Sequence, residues 1–339
     1  MKSNAEAKRL YTLMHYATIS KVISKACSLR LDEKISDSPL SIAKLSTELG
    51  YSPRAMYRFL RVLEAYDIVK LLNEDEVIKG PLCDFLESIR GPHLLHGYKN
   101  LENLEISLIS NDECYSTTFG KPFYPHILED GKLVADLKEW GRASALNWLL
   151  PAVTSTYDFS FMHNFCEINS DGFFTGYLLK YYLDCKGFIF NKEALIPKAK
   201  EVFKEFSIEE RVLIYQQNSW ILPKELVKKN QIFIFFRALI NFSSDQLKAL
   251  LASLTAQLKS GTKILIIDFM LPDKSHEDYQ LGTLVDINIL TCLGSGLRTK
   301  EEWLAACDHP KFSDIKFLPL KSDEIKLILP AFLMEISIS

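Results

Sequence analysis

The rhythm of apolar and polar positions changes once along this chain, near Phe161. Before that point apolar residues recur at helical spacing; after it, short apolar runs alternate with amphipathic helices. Residues 41–49 predict a short amphipathic helix that Gly50 stops. Ser52 and Pro53 then supply an N-cap with proline at the first helical position. Met56, Phe59, Leu60 and Leu63 follow at i, i+3, i+4 and i+7, which marks one buried stripe. Residues 68–80 hold two short β-prone runs around Asn73, Glu74 and Asp75, and helix, turn, helix, β-ribbon in that order predicts a winged helix. Residues 101–157 predict helices, interrupted at 120–126, with a long amphipathic stretch over 130–153. Beyond Phe161 the predicted strands are 164–168, 187–190, 211–215, 231–236 and 263–269, then a final pair at 315–318 and 331–336. Predicted helices at 173–183, 192–206, 244–259 and 299–307 separate them. Such alternation predicts a parallel sheet covered on both faces, and the helix-free final pair supplies its one antiparallel strand.

Composition narrows the class. At 339 residues, 47% hydrophobic and 24% charged, the chain is globular and long enough for two domains. Forty Lys and Arg against 43 Asp and Glu leave a net charge of −3, no global electrostatic case for nucleic acid or an anionic membrane. The seven cysteines are scattered and include no C-x-x-C pair, which argues against a zinc site or disulfide framework and fits a reducing compartment. The opening residues have no apolar run of the secretory kind, and residues 232–240 are too short, and broken by Arg237, to span a bilayer. A cytoplasmic protein is the expectation. Arg54, Arg58 and Arg61 form a basic stripe on the second helix of the winged helix, the face that enters the major groove in DNA-binding relatives of that motif. His93 and His96 have no acidic or cysteine partner nearby and indicate a surface or helix-cap pair, not a metal site.

Several stretches resemble the S-adenosylmethionine-dependent O-methyltransferases of the caffeic acid, hydroxyindole and bacterial polyketide-tailoring type. The run from Arg54 to Leu63 is similar to that family's dimerisation domain, which carries the same basic pattern without reading DNA. Gly120-Lys-Pro-Phe resembles its G-x-P-F connector, and Tyr157-Asp-Phe its entry to the first strand of the sheet. The run from Ser260 to Pro272, with Asp268, and the run from Leu297 to Trp303 are also family-like. The resemblance implies an α/β protein: an N-terminal all-helical winged-helix dimerisation domain (1–100), a helical connector (101–157) and a Rossmann-like methyltransferase domain (158–339). That last domain would hold a mostly parallel seven-stranded sheet with one antiparallel strand. It also implies a homodimer through the N-terminal domain, S-adenosylmethionine as cofactor, and a small aromatic or polyketide-like ligand.

Laid on the family's motifs, the site residues depart from them. The family's D-x-G-x-G-x-G loop becomes Glu167-Ile-Asn169-Ser170-Asp171-Gly172, one residue shorter, with Glu167 in the place of the acid and Gly172 as the last glycine. Either this is a modified cofactor loop, or it is an ordinary strand-to-helix turn in which Asp171 caps the next helix; the second is favoured. Asn191 replaces the ribose-gripping Asp and keeps one acceptor. Gln217 and Asn218 stand where an acid accepts from adenine, and either amide retains that capacity. Arg237 completes the cofactor-binding set that the resemblance implies. Ile240 occupies the position of the catalytic His and accepts no proton; Asp268 matches one of the partner carboxylates and Leu297 replaces the other. Trp148, Asn241, Phe242 and Met270 are implied as substrate-pocket walls, with core packing the alternative for each. The resulting expectation is a family member weak or inactive in methyl transfer, acting as a binding or scaffold homologue. Its alternatives are an active O-methyltransferase working on acidic phenols, enols or polyketides without a His base, and a winged-helix DNA-binding regulator.

Overall fold

The computed structural model describes residues 4–91, 97–228, 231–320 and 329–339. His93 and His96 fall outside them. The chain divides into two compact units, Met1–Glu102 with Phe123–Ser144, and Asn103–Pro122 with Ala145–Ser339. The stretch expected as a separate connector is thus shared between the two.

The first unit opens with helices α1 (Asn4–Ser28) and α2 (Leu31–Lys34), strand β1 (Leu40–Ser41), and helices α3 (Ile42–Leu49) and α4 (Pro53–Glu64). Ser41 caps α3 through its side chain and Gly50 ends it at φ 72°. The stripe on α4 is buried as its spacing predicts, with Met56, Leu60 and Leu63 almost inaccessible and Phe59 packed against them. Strands β2 (Val69–Leu71) and β3 (Glu76–Lys79) form the wing, and β1 pairs with β3 to make a three-stranded antiparallel sheet. The ribbon is the one that the two runs around Asn73 predict, so the domain is helical with a small wing, and β1 adds a third strand to it. In the same unit Arg90 is buried in an ionic cluster, pairing with Asp32, Glu33 and Glu139, while Arg30 reaches Asp136 and Glu139.

The second unit is built on β4 (Asn164–Ile168), β5 (Lys186–Asn191), β6 (Val212–Gln216), β7 (Ile232–Phe236), β8 (Lys263–Phe269), β9 (Phe312–Pro319) and β10 (Ala331–Ile338). They form one seven-stranded sheet in the order β6-β5-β4-β7-β8-β10-β9. Strands β6 to β8 in that order run parallel, and β10 is antiparallel to both its neighbours. Alternate residues feed two cores: Phe165, Ile234, Leu265 and Ile267 one face, Cys166, Phe233, Ile264 and Ile266 the other. Helices Phe173–Tyr181 and Ile196–Phe206 contribute to the first face, Ser244–Gln257 and Lys300–Ala306 to the second. Strand order reverses between β4 and β7, and in open α/β sheets the crevice outside the carboxyl ends at such a point is where ligands bind.

Two helices depart from expectation. Phe123–Glu129 is helical despite Pro125, so the interruption shrinks to the Gly120 turn at φ 78°. Tyr279–Leu293 is a helix that periodicity does not single out, since it is apolar over most of its circumference.

Candidate functional site

The turn after β4 is closed by its own side chains. Glu167, the next-to-last residue of β4, is fully buried. Its Oε1 accepts from Ser170 Oγ at 2.5 Å, and its Oε2 accepts from Thr175 N–H at 3.0 Å and Thr175 Oγ1 at 2.6 Å. Ser170 Oγ in turn accepts from Gly172 N–H at 2.8 Å. Burial pushes the Glu167 carboxyl up to about 7, against the hydrogen bonds from Ser170 and Thr175 that favour its charged form. Asn169 takes the left-handed conformation at φ 54°, tolerable for Asn, and Gly172 does so at φ 82°. A Cβ on Gly172 would stand 2.6 Å from the Phe203 ring, so this glycine is required by packing as well as by conformation. Asp171 accepts from Phe173 N–H at 3.1 Å at the start of the helix and lies 3.6 Å from Lys198 Nζ.

Asn191, at the end of β5, is also fully buried and is joined to the same turn. Ser170 N–H donates to Asn191 Oδ1 at 2.9 Å, and Asn191 Nδ2 donates to the Ser170 carbonyl at 2.6 Å. This reciprocal pair uses the amide as a backbone mimic. Gln217, beyond β6, donates its N–H to the Asn191 carbonyl at 2.6 Å, while its own side-chain Oε1 is buried without a partner. Asn218 is exposed, its Oδ1 accepting from Gln216 Nε2. The structure therefore gathers Glu167, Asp171, Gly172, Asn191 and Gln217 at the ends of β4, β5 and β6. Ser170 and Thr175, which hold that group together, were missed by sequence reasoning; the one signal for Thr175 is a hydroxyl in an otherwise apolar helix start.

A second group lies beyond β7 and β8. Asp268 is buried at the end of β8; its Oδ1 accepts from Phe269 N–H at 2.9 Å, while its Oδ2 is buried without a hydrogen-bond partner. Burial raises its carboxyl to about 6, against the Phe269 N–H and the charges of Arg237 and Arg298. Arg298 is buried beside it, donating to the Phe242 carbonyl with its guanidinium over the Trp303 ring. Arg237 sits at φ 52° with its guanidinium 5.5 Å from the Phe269 ring centre. Phe242 and Met270 are half-buried against the second core, and Leu297 is buried. Ile240 is half-buried and Asn241 exposed. Trp148 is half-buried on the π-helical turn Ala145–Leu149, outside both hydrogen-bonded groups. Among the described residues no three or more His, Cys, Asp or Glu gather as a metal site, and no helix is long and apolar enough to cross a membrane.

Comparison with known proteins places this geometry. A family model described as the O-methyltransferase domain matches residues 98–312, and one described as the O-methyltransferase dimerisation domain matches residues 11–82. The chain is 20% identical to O-methyltransferase 7 of Dictyostelium discoideum over 311 residues, 86% of each protein. The structure of the mitomycin 7-O-methyltransferase MmcR superposes with a TM-score of 0.84 at 17% identity, covering 99% of this chain and 98% of that one. Human N-acetylserotonin methyltransferase in complex with S-adenosylmethionine superposes with a TM-score of 0.80 at 17% identity, covering 100% and 99%. The O-methyltransferase NcsB1, in complex with S-adenosylmethionine and 2-hydroxy-5-methyl naphthoic acid, gives 0.76 at 16% identity, covering 95% and 96%. With the domain model matching more than half of its 339 residues, this chain belongs to the O-methyltransferase family.

Proposed function

We propose that this chain is a family member that has given up methyl transfer and serves as a binding or scaffold homologue, assembled as a homodimer through its N-terminal domain. The observation that carries this is the closed turn after β4. Two of the solved relatives hold S-adenosylmethionine, whose sugar hydroxyls and amino-acid end need polar partners turned outward. Here both carboxylate oxygens of Glu167 and the amide of Asn191 are buried and engaged with Ser170 and Thr175. The residues present do not fit that group. Each charge-assisted contact forgone weakens such a ligand by about 1.5–3 kcal/mol. Ile240 and Leu297, in place of a His and a Glu, take no proton from an acceptor hydroxyl, and Asp268, the acid that remains in that group, is buried.

Homodimer formation is supported by the dimerisation-domain match and by α1, which leaves Leu10, Tyr11 and Met14 between 63% and 71% exposed. A flat aromatic ligand, of the kind held by NcsB1, suits the apolar character of Ile240, Phe242 and Leu297. All seven cysteines are buried and none forms a disulfide among the described residues, which suits a cytoplasmic setting. Calorimetric titration with S-adenosylmethionine and S-adenosylhomocysteine is the direct test. No saturable binding is expected, and micromolar affinity for either overturns the proposal. Labelled-methyl transfer to a panel of phenols and polyketides separates it from an enzyme that works without a His base.

A further inference from the structure

The helix Tyr279–Leu293 ends at Gly294, and the loop that follows doubles back onto it. Asp286 holds that loop: Leu297 N–H donates to its Oδ1 at 2.7 Å. A Cβ on Gly296 would stand 2.6 Å from the same oxygen, so the glycine is what lets the carboxylate approach. The other oxygen, Oδ2, takes no hydrogen bond from a described residue and keeps solvent access. Asp286 is half-buried, and no Lys, Arg or His among the described residues pairs with it. Burial raises its carboxyl above the usual range, the Leu297 N–H works against that rise, and the like charge of Glu302 adds to it. In the same loop Ser295 is nine-tenths buried, with a hydroxyl that has no partner. One turn along the helix, Ile289 and Leu290 are half-buried, and Leu297 is buried beside the carboxylate.

An anion held in place by the backbone, with one free oxygen and no countercation, is complementary to an N–H cation. We propose that Asp286 anchors a binding site for a small amine, an ammonium group carried on an apolar, ring-bearing body. The ammonium donates to Oδ2, and the apolar body lies along Ile289 and Leu290. A hydroxyl in place of the ammonium forms a weaker bond, because it brings no charge to pair with the carboxylate. The inference rests on the view of this chain as a binding homologue. Its test leaves S-adenosylmethionine out, so the two can fail separately.

The probe is 2-phenylethylammonium, with 2-phenylethanol as its neutral counterpart, each titrated calorimetrically into the full-length chain. The ammonium is expected to bind saturably and about tenfold more tightly than the alcohol. Asp286→Asn is expected to abolish that preference and leave the alcohol unchanged. Asn keeps an Oδ1 for Leu297 N–H, and an unshifted melting temperature shows that the fold survives. Should the variant not fold, a pH series on the unaltered chain serves instead. Ammonium binding then weakens as pH falls and Asp286 takes up a proton, with Glu302 the other titratable group acting on it. Equal binding of the two probes, no binding of either, a preference that survives Asp286→Asn, or ammonium binding that does not respond to pH overturns the site.

Discussion

Glu167 shows how far the surroundings of a carboxyl decide what it can hold. The order of motifs locates it where the family keeps an acid, yet it faces the protein's interior, with Ser170 and Thr175 as its partners. Those partners were not legible, because they lie three and eight residues away and meet only once the helix after β4 has packed. Asn191 was legible as a substituted acid but not as a clasp on Ser170, for the same reason: the clasp joins two strands that are neighbours only in the sheet. Titration provides a check. The folded-state carboxyl of Glu167 lies near 7 against an ordinary 4.5, so the folded protein holds the proton more tightly than the unfolded chain. Its contribution to stability is complete below about pH 4.5 and is lost as pH rises through about 7, on the order of 3 kcal/mol in all. Denaturant midpoints measured across that window are expected to fall for the natural chain and to fall less steeply for Glu167→Gln, the remaining slope coming from Asp268. Parallel profiles for the two proteins would mean that Glu167 is ionised throughout.

Elements were the most legible scale, since period and end-signals are local. The helix Lys300–Ala306 begins with a capping box: Thr299 accepts from Glu302 N–H while Glu302 accepts from Thr299 N–H, and the sequence T-K-E-E-W announces it. Thr299→Ala is expected to cost about 1 kcal/mol, read as a lower urea midpoint with an unchanged slope. A null effect would show that Trp303, buried beneath the helix, fixes it without the cap. The helix Tyr279–Leu293 escaped sequence reasoning because its apolar residues cover too much of its surface to show a period. Asp286 escaped with it, being one carboxylate inside an apolar run. Phe123–Glu129 escaped for a different reason. A proline in the first turn of a helix removes no needed hydrogen bond, so Pro125 stops nothing.

At the scale of the molecule each unit has its own device for unity. In the first, Arg90 is 2% exposed and joins Asp32 near the start of the chain to Glu139 far along it. Removing one partner of a buried pair strands the other. Arg90→Ala is therefore expected to cost about 3–5 kcal/mol, visible as an early unfolding transition; a variant that melts with the natural protein would make the cluster ornamental. No periodicity foretells this, for Arg90 sits in a segment that looks like a surface turn. In the second unit the device is β10, the last strand of the sheet to be synthesised and one enclosed on both sides by β8 and β9. A ribosome still holding residues beyond Pro330 therefore carries a half-made sheet whose β8 presents bare amides and carbonyls along a greasy margin. Translation that halts there would release a sticky fragment, not a smaller working domain.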